Sequence, residues 1–404
     1  MEHIQGGVCA PKGFTASGVH CGIRKNSTKR DLSMIYSEVP ASAAAVYTSN
    51  LVKGAPIYVT QRNLQDGVAQ LALCNSGNAN TCNADGEDVA WQMCVLAAEA
   101  AGVKPEDVIV ASTGVIGQPL DIAPIAEGVG PLAAALSPKG SKEAAEGIMT
   151  TDTRLKEVAV SFTAGGVTCR LGGIAKGSGM IHPNLATMLV FLTCDAAISP
   201  AMLRKALSAD VKDTFNMVSV DGDTSTNDMV SIMANGLAGN PMIDSEGVDF
   251  DAFCAALNEV TSTLCRMIAK DGEGASRLLT CQVTGGKTVK DAKLCAKAVV
   301  CSSLLKAAIF GADANWGRVL CALGYSGAEL DVKAVDVAFR SSVGSITVCR
   351  MGASVDFSEE EAKKILLQDE VDVVVTLRDG DAAATAWGCD LTYDYVKING
   401  DYRS

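Results

Sequence analysis

The chain has 404 residues, 48% of them hydrophobic, and a formal charge of −12. That length exceeds one ordinary hydrophobic core, so two lobes or one large layered domain are expected. The acidic balance, without any basic run interleaved with aromatics, excludes a phosphate-backbone footprint and with it a nucleic-acid partner.

In chain order, strand-like and helical signals alternate. "AAVYTS" and "APIYVT" read as strands, and "AQLALCNSGNAN" as a strand running into a loop of Asn and Gly. In "DGEDVAWQMCVLAAEAAG", Asp85 is placed to cap a helix, Val89, Met93, Cys94 and Ala97 share one face, and Gly102 stops it. "DVIVASTGVIG" is a strand ending in a glycine turn, and residues 123–149 are Ala-rich and helical with Gly and Pro breaks. "EVAVSFTAGGVTCRLGGIAKGSG" predicts a hairpin turning at Ala164 to Gly166 that delivers Lys176 to the next turn.

The second half opens on an apolar run, Met188 to Thr193, of buried-strand character. Helices follow at 200–209 and 249–269, and a third from about Val289 to Ile309. "VDVAFR", "SITVCR" and "VDVVVTLRDG" are strands, with the acidic helix "SEEEAKKILLQ" between the last two. Helices covering sheet faces, an α/β layered sandwich, is the simplest architecture.

The fifteen cysteines are scattered, odd in number and never C-x-x-C, which points away from disulfides and zinc. Cys94, Cys254 and Cys265 fall in helical patterns and Cys74 and Cys169 in strand-like ones, the usage of small apolar residues in a reducing compartment. The N-terminal segment lacks a basic-then-apolar pattern, and no apolar run approaches a membrane span, so a cytoplasmic protein without membrane contact is expected.

Familiar catalytic patterns fail on spacing. His3, His20 and His182 are the sole histidines, and "AKGSGM" lacks the G-x-S-x-G of a nucleophile elbow. "TGGKT" (284–288) has Cys281 where a phosphate-binding loop needs its first glycine. "DGDTSTND" (221–228) begins like a calcium loop but lacks the central glycine and ends with Ile232 at the position of the closing glutamate, so no metal is expected. Two readings of Thr187 stand on these residues alone: a good β former at a strand start, or a hydroxyl activated by the α-amine of its own residue, which titrates near pKa ~7.7 to 8. Thr187 acquires such an amine if the bond after Ala186 is cut, and its hydroxyl can attack the preceding carbonyl to make that cut.

Taken together, "NSGNAN" (75–80), "STGVIG" (112–117), "MTTDT" (149–153), "AKGSGMIHPNLATMLVFLT" (175–193), "DGDTSTND", "KDGEGA" (270–275), "GADANWGR" (311–318) and "YVKINGDYRS" (395–404) resemble the ornithine acetyltransferase family, bifunctional glutamate N-acetyltransferases of arginine biosynthesis, over nearly the whole chain. The resemblance implies self-cleavage between Ala186 and Thr187 into an α chain, 1–186, and a β chain, 187–404, on a layered fold shared with self-processing aminopeptidases. It implies Thr187 as nucleophile, Thr113 and Gly114 as oxyanion hole, and Thr150, Lys176, Thr187, Glu273, Asn399 and Ser404 as substrate-binding residues. Lys176 suits a carboxylate and Glu273 an amine.

The implied substrates are N2-acetylornithine and glutamate, with no cofactor, and the implied assembly is a heterotetramer of two α and two β chains; acetyl-CoA as a further acetyl donor is an open alternative at this point. A self-processing amidase or aminopeptidase of the same fold is the rival. Departures from the family pattern are modest: "TCNADGED" stands where relatives more often carry Cys-Thr-Gly, Cys194 where threonine is common, and Ser404 replaces a threonine with the hydroxyl retained.

Overall fold

The computed structural model describes residues 1–25, 28–182 and 188–401. The chain divides into two compact units, the first formed by Met1–Gly177, Asn184–Phe215 and Thr224–Leu264, the second by Ser178–Pro183, Asn216–Asp223 and Cys265–Ser404.

The first unit is built on one mixed sheet. Its strands are β1 (Glu2–Ile4), β2 (Phe14–Val19), β3 (Leu32–Tyr47), β4 (Val68–Asn78), β5 (Val108–Val115), β6 (Lys156–Ala164), β7 (Val167–Lys176), β8 (Leu189–Cys194) and β9 (Met229–Ala234). They run in the order β1-β6-β7-β8-β9-β3-β4-β5, with β2 paired to the long β3. Alternate residues of β4 serve two apolar clusters: Ala72 and Cys74 join Ile109, Ile174, Leu189 and Met229, while Leu71 and Leu73 join Val108, Val110 and Met93. A strand buried on both faces reads as a continuous apolar run, and β8 is buried along its entire length.

Helices α1 (Ala55–Asn63), α2 (Gly86–Ala101), α3 (Ala123–Ala134), α4 (Ser141–Ile148) and α5 (Pro200–Asp210) cover the sheet, and α6 (Val248–Lys270) carries the boundary between the units within its length. In the second unit β10 (Leu278–Gly286), β11 (Asp336–Ser341), β12 (Gly344–Arg350), β13 (Ala353–Ser354), β14 (Glu370–Thr376) and β15 (Ala382–Cys389) form a six-stranded sheet. Its helices are α7 (Val289–Cys301), α8 (Ser303–Phe310), α9 (Trp316–Gly324), α10 (Glu359–Leu366) and α11 (Tyr393–Gly400). Each unit has the layered α/β class expected.

Three local readings change. "APIYVT" is the start of α1: Pro56 occupies its first turn and Pro56, Ile57, Val59, Thr60 and Asn63 are its buried residues, a pattern that a six-residue window is too short to reveal. The helix expected from Val289 to Ile309 is two, because Ser302 leaves helical geometry and its hydroxyl caps Leu305 N of the next helix at 3.3 Å. Asp85 stands at the N-cap of α2 but makes no capping hydrogen bond, whereas Gly102 ends that helix in the left-handed region as expected.

Candidate active site

The ends of β4 and β5 set the geometry in the first unit. These strands are parallel neighbours with Ser76 opposite Thr113 and Gly77 opposite Gly114, and the ladder turns irregular at Gly77 and Asn78. Gly114 has φ +136°, and a Cβ there would fall on the Gly77 carbonyl and the Asn78 nitrogen. Glycine alone fits, and it leaves the peptide bare of any side chain. Asparagines fix the facing loop: Asn75 Nδ2 donates to Asn78 O (3.0 Å), Asn78 Nδ2 to Gln118 O (3.1 Å), and Asn80 Nδ2 to Gly86 O (2.8 Å). Thr113 is 8% exposed, and its Oγ1 accepts a hydrogen bond from Lys176 Nζ at 3.2 Å. Since the ammonium occupies a lone pair of that oxygen, the hydroxyl proton is directed elsewhere.

Lys176 is the last residue of β7 and pairs across the ladder with Leu189, the first of β8. Behind it lies Asp152, a residue the sequence reading passed over within "MTTDT". Its Oδ1 accepts from Lys156 Nζ and Gly177 N, both at 2.7 Å, and its Oδ2 from Thr150 N at 2.9 Å. Burial alone would push this carboxyl up, but the Lys156 and Lys176 ammoniums and the Gly177 N–H outweigh it and hold the pKa at about 2. Asp152 therefore ties the Thr150 loop to the end of β7. Its signal in the sequence is the Asp–Lys spacing of four at the entry to a strand.

Two further groups went unread. The Arg24 guanidinium donates to Met149 O, and Arg24 Cγ lies 2.9 Å from where a Cβ on Gly77 would sit. Asp228 precedes β9, whose Met229 N donates to Met188 O at 2.9 Å. Burial pushes the Asp228 carboxyl well up, against the Ser225 hydroxyl and the Lys176 ammonium, and its Oδ2 has no partner among the described residues.

In the second unit Glu273 and Asn399 come together. Asn399 Nδ2, on α11, donates to Glu273 Oε2 at 2.8 Å. The Thr392 hydroxyl at the N-terminus of α11 donates to Gly274 O at 2.6 Å, and a Cβ on Gly274 would strike the α11 backbone at Tyr395 N. The "KDGEGA" loop is thus fitted to the last helix. Glu273 N donates to Ser178 O at 2.8 Å, and a Cβ on Gly179 would fall on the Glu273 carboxylate, so the glycines of "AKGSGM" make room for it. Asp221 accepts from Met180 N (2.6 Å) and Ile181 N (2.8 Å), which makes the calcium-like motif a turn-holding device.

With this geometry in place, likeness to known proteins is informative. The family model described as "ArgJ family" matches residues 15–404. The arginine biosynthesis bifunctional protein ArgJ of Symbiobacterium thermophilum is 51% identical over 406 residues, covering 100% of both chains. Its namesake from Caldanaerobacter subterraneus subsp. tengcongensis is 49% identical over 405 residues, again 100% of both. The chain belongs to the ArgJ family. A solved ArgJ chain from Bacillus halodurans is 47% identical, covering 52% of this chain and 96% of that one, with a TM-score of 0.49.

Membership of the ArgJ family makes the chain an acyltransferase of arginine biosynthesis, the reaction class the motifs implied. Of the residues expected in its site, Thr113, Gly114, Thr150 and Lys176 are gathered in the first unit, and Glu273 and Asn399 in the second. Ala186, Thr187 and Ser404 lie outside the described residues. His182 pairs with Ser219 Oγ at 3.1 Å, but Ser219 is buried, and burial with the Lys297 ammonium lowers the imidazole to about 4. That pair is a neutral packing contact. Among the described residues no group of His, Cys, Asp and Glu could hold a metal ion, no helix is long and apolar enough to cross a membrane, and all fifteen cysteines are free.

Proposed function

We propose that this chain moves an acetyl group from N2-acetylornithine to glutamate through an ester on Thr187. The Thr187 α-amine takes the hydroxyl proton while Oγ bonds to the acetyl carbon, and the Thr113 hydroxyl and Gly114 N–H receive the oxyanion. The intermediate collapses, the C–N bond breaks, and the departing α-amine of ornithine takes the proton back. The glutamate α-amine then attacks the ester, restoring the Thr187 hydroxyl and giving N-acetylglutamate. Thr150, Lys176, Glu273, Asn399 and Ser404 bind the substrates. The observation that carries the reading is the Lys176–Thr113 hydrogen bond of 3.2 Å beside a turn only glycine can complete, which leaves a hydroxyl proton and a bare amide for the oxyanion.

The nucleophile arises by a cut between Ala186 and Thr187. β8 lies between β7, on the N-terminal side of that bond, and β9, on the other. Six consecutive cross-strand pairs join β7 to β8, from Leu171 with Cys194 to Lys176 with Leu189. Chains 1–186 and 187–404 accordingly share one sheet and stay together after the cut. Acetyl-CoA serves as a second acetyl donor, no cofactor is needed, two of each chain assemble as a heterotetramer, and the enzyme works in the cytoplasm.

Ornithine release from N2-acetylornithine should require glutamate, with acetyl-CoA and glutamate assayed in parallel for N-acetylglutamate. Equal release without glutamate would identify an amidase instead. The protein should resolve on a denaturing gel into two fragments that co-purify, and Thr187→Ala should remain whole and inactive. Normal cutting of that variant would remove the intramolecular mechanism.

A further inference from the structure

We propose that Asn227 is a positioning residue for the oxyanion turn, an inference that rests on the roles proposed above for Thr113 and Gly114. Asn227 is the last residue but one of the motif "DGDTSTND" and is 7% exposed in the first unit. Its carboxamide makes four hydrogen bonds: Oδ1 accepts from Thr81 Oγ1 (2.6 Å) and Thr226 Oγ1 (2.5 Å), and Nδ2 donates to Ala79 O (2.6 Å) and Ser112 O (3.0 Å). A reversed amide would set its oxygen against two carbonyls, so the orientation is fixed by chemistry. Gly54 packs so closely that a Cβ there would fall on the Asn227 amide, which denies the side chain room to swing.

Both carbonyls frame the catalytic turn. Ser112 O belongs to the peptide whose nitrogen is that of Thr113, so its bond to Nδ2 sets the plane from which the Thr113 side chain and the next peptide, with Gly114 N–H, project. Ala79, held through its carbonyl, donates its own N–H to Val115 O at 2.9 Å, just beyond Gly114. The peptide between Thr113 and Gly114 is thus pinned on either side, and Asn227 is the side chain that joins the two pins. An oxyanion hole acts through donors fixed in advance, and loosening that peptide weakens the transition state more than the bound substrate.

The test compares kcat, KM and melting temperature for Asn227→Asp, Thr81→Val and Thr81→Ser in processed enzyme, each alone and with Thr113→Ala. Asn227→Asp should lower kcat at least tenfold with KM within about threefold. Thr81→Val should lower kcat severalfold and Thr81→Ser should restore it, and these two decide the matter if Asn227→Asp fails to fold. With Thr113→Ala already present, the same changes should cost much less in kcat, because they act through the donors it removes. Wild-type kcat in folded Asn227→Asp, or in Thr81→Val when the former does not fold, would overturn the inference, as would an undiminished cost in the Thr113→Ala background. Wild-type kcat in Thr113→Ala alone would instead bring down the oxyanion reading itself.

Discussion

The β4–β5 end of the first unit and the Glu273–Asn399 pair of the second are built on opposite plans. Around Thr113, Asn78, Asn80, Asp152 and Asn227 are buried and each make at least two hydrogen bonds, and glycine geometry closes the turn. Glu273 is half-buried on a loop, and Asn399 is exposed on the last helix. Donors aimed at a charge that exists only in the transition state gain most from being fixed before substrate arrives. Groups that hold the ends of two different amino acids in turn gain from freedom to adjust. The first region is therefore expected to govern kcat and the second KM.

The largest break should come from Asp152→Asn. Lys156 is buried beside it, with side-chain exposures of 1% and 0% for the pair, and removing one member of such a pair costs about 3 to 5 kcal/mol. Because the Asp152 pKa is lowered to about 2, its contribution is present above the ordinary carboxylate range and lost as pH falls toward that value. Urea unfolding of the precursor from pH 7 to 3 should show wild type and variant converging at the acid end. Parallel curves would detach Asp152 from the stability of this region.

Next in size is Thr113→Ala, which removes one oxyanion donor and should lower kcat by about 10² to 10³ with a small change in KM. Glu273→Gln should do less. Truncating one member of a fully buried charge pair costs on the order of 2 to 5 kcal/mol, but a half-buried carboxylate already held by Asn399 exchanges its partner partly for water. About 1 to 3 kcal/mol in kcat/KM, mostly as raised KM, is the expectation for steady-state kinetics with acetylornithine. A loss in kcat as large as that of Thr113→Ala would erase the contrast between the regions.

The same contrast decides what was legible in the sequence. Strands such as β8 and β14 announce themselves because burial writes hydrophobicity into every residue or every second one. The resemblance to a known family supplied Thr113, Lys176 and Glu273, whose local patterns alone read as turn or surface. Arg24 and Asn227 escaped notice because their partners are remote in sequence: Arg24 lies 125 residues from Met149, and Asn227 lies 148 residues from Ala79 and 115 from Ser112. No window of neighbouring residues contains those bonds. The α1 and α7–α8 misreadings have a different cause, a short helix with few turns to count and a capping serine that splits a continuous apolar stripe.

The smallest effect on activity is expected inside the rigid region, at Asp228→Asn. Asp152 and Asp228 are both buried and both feel the Lys176 ammonium, yet Asp152 has an ion-pair partner and two N–H donors while Asp228 Oδ2 has no partner among the described residues. Burial dominates at Asp228 and the carboxyl holds its proton well above the ordinary range. A raised acid pKa in the folded state means that stability is fully present below the unfolded value of about 4 and is lost as pH climbs toward the folded value, at up to about 1.4 kcal/mol per pH unit. An asparagine is nearly isosteric and does not titrate, so the variant should escape that loss while folding normally near pH 4. Stability curves in a Thr187→Ala background, where the precursor stays one chain, should therefore diverge as pH rises from 4 to 8, with the variant the more stable at the upper end. Wild-type stability that climbs with pH relative to Asp228→Asn would mean that this carboxylate is ionised and paired in the folded protein, and would make it a second Asp152 rather than its opposite.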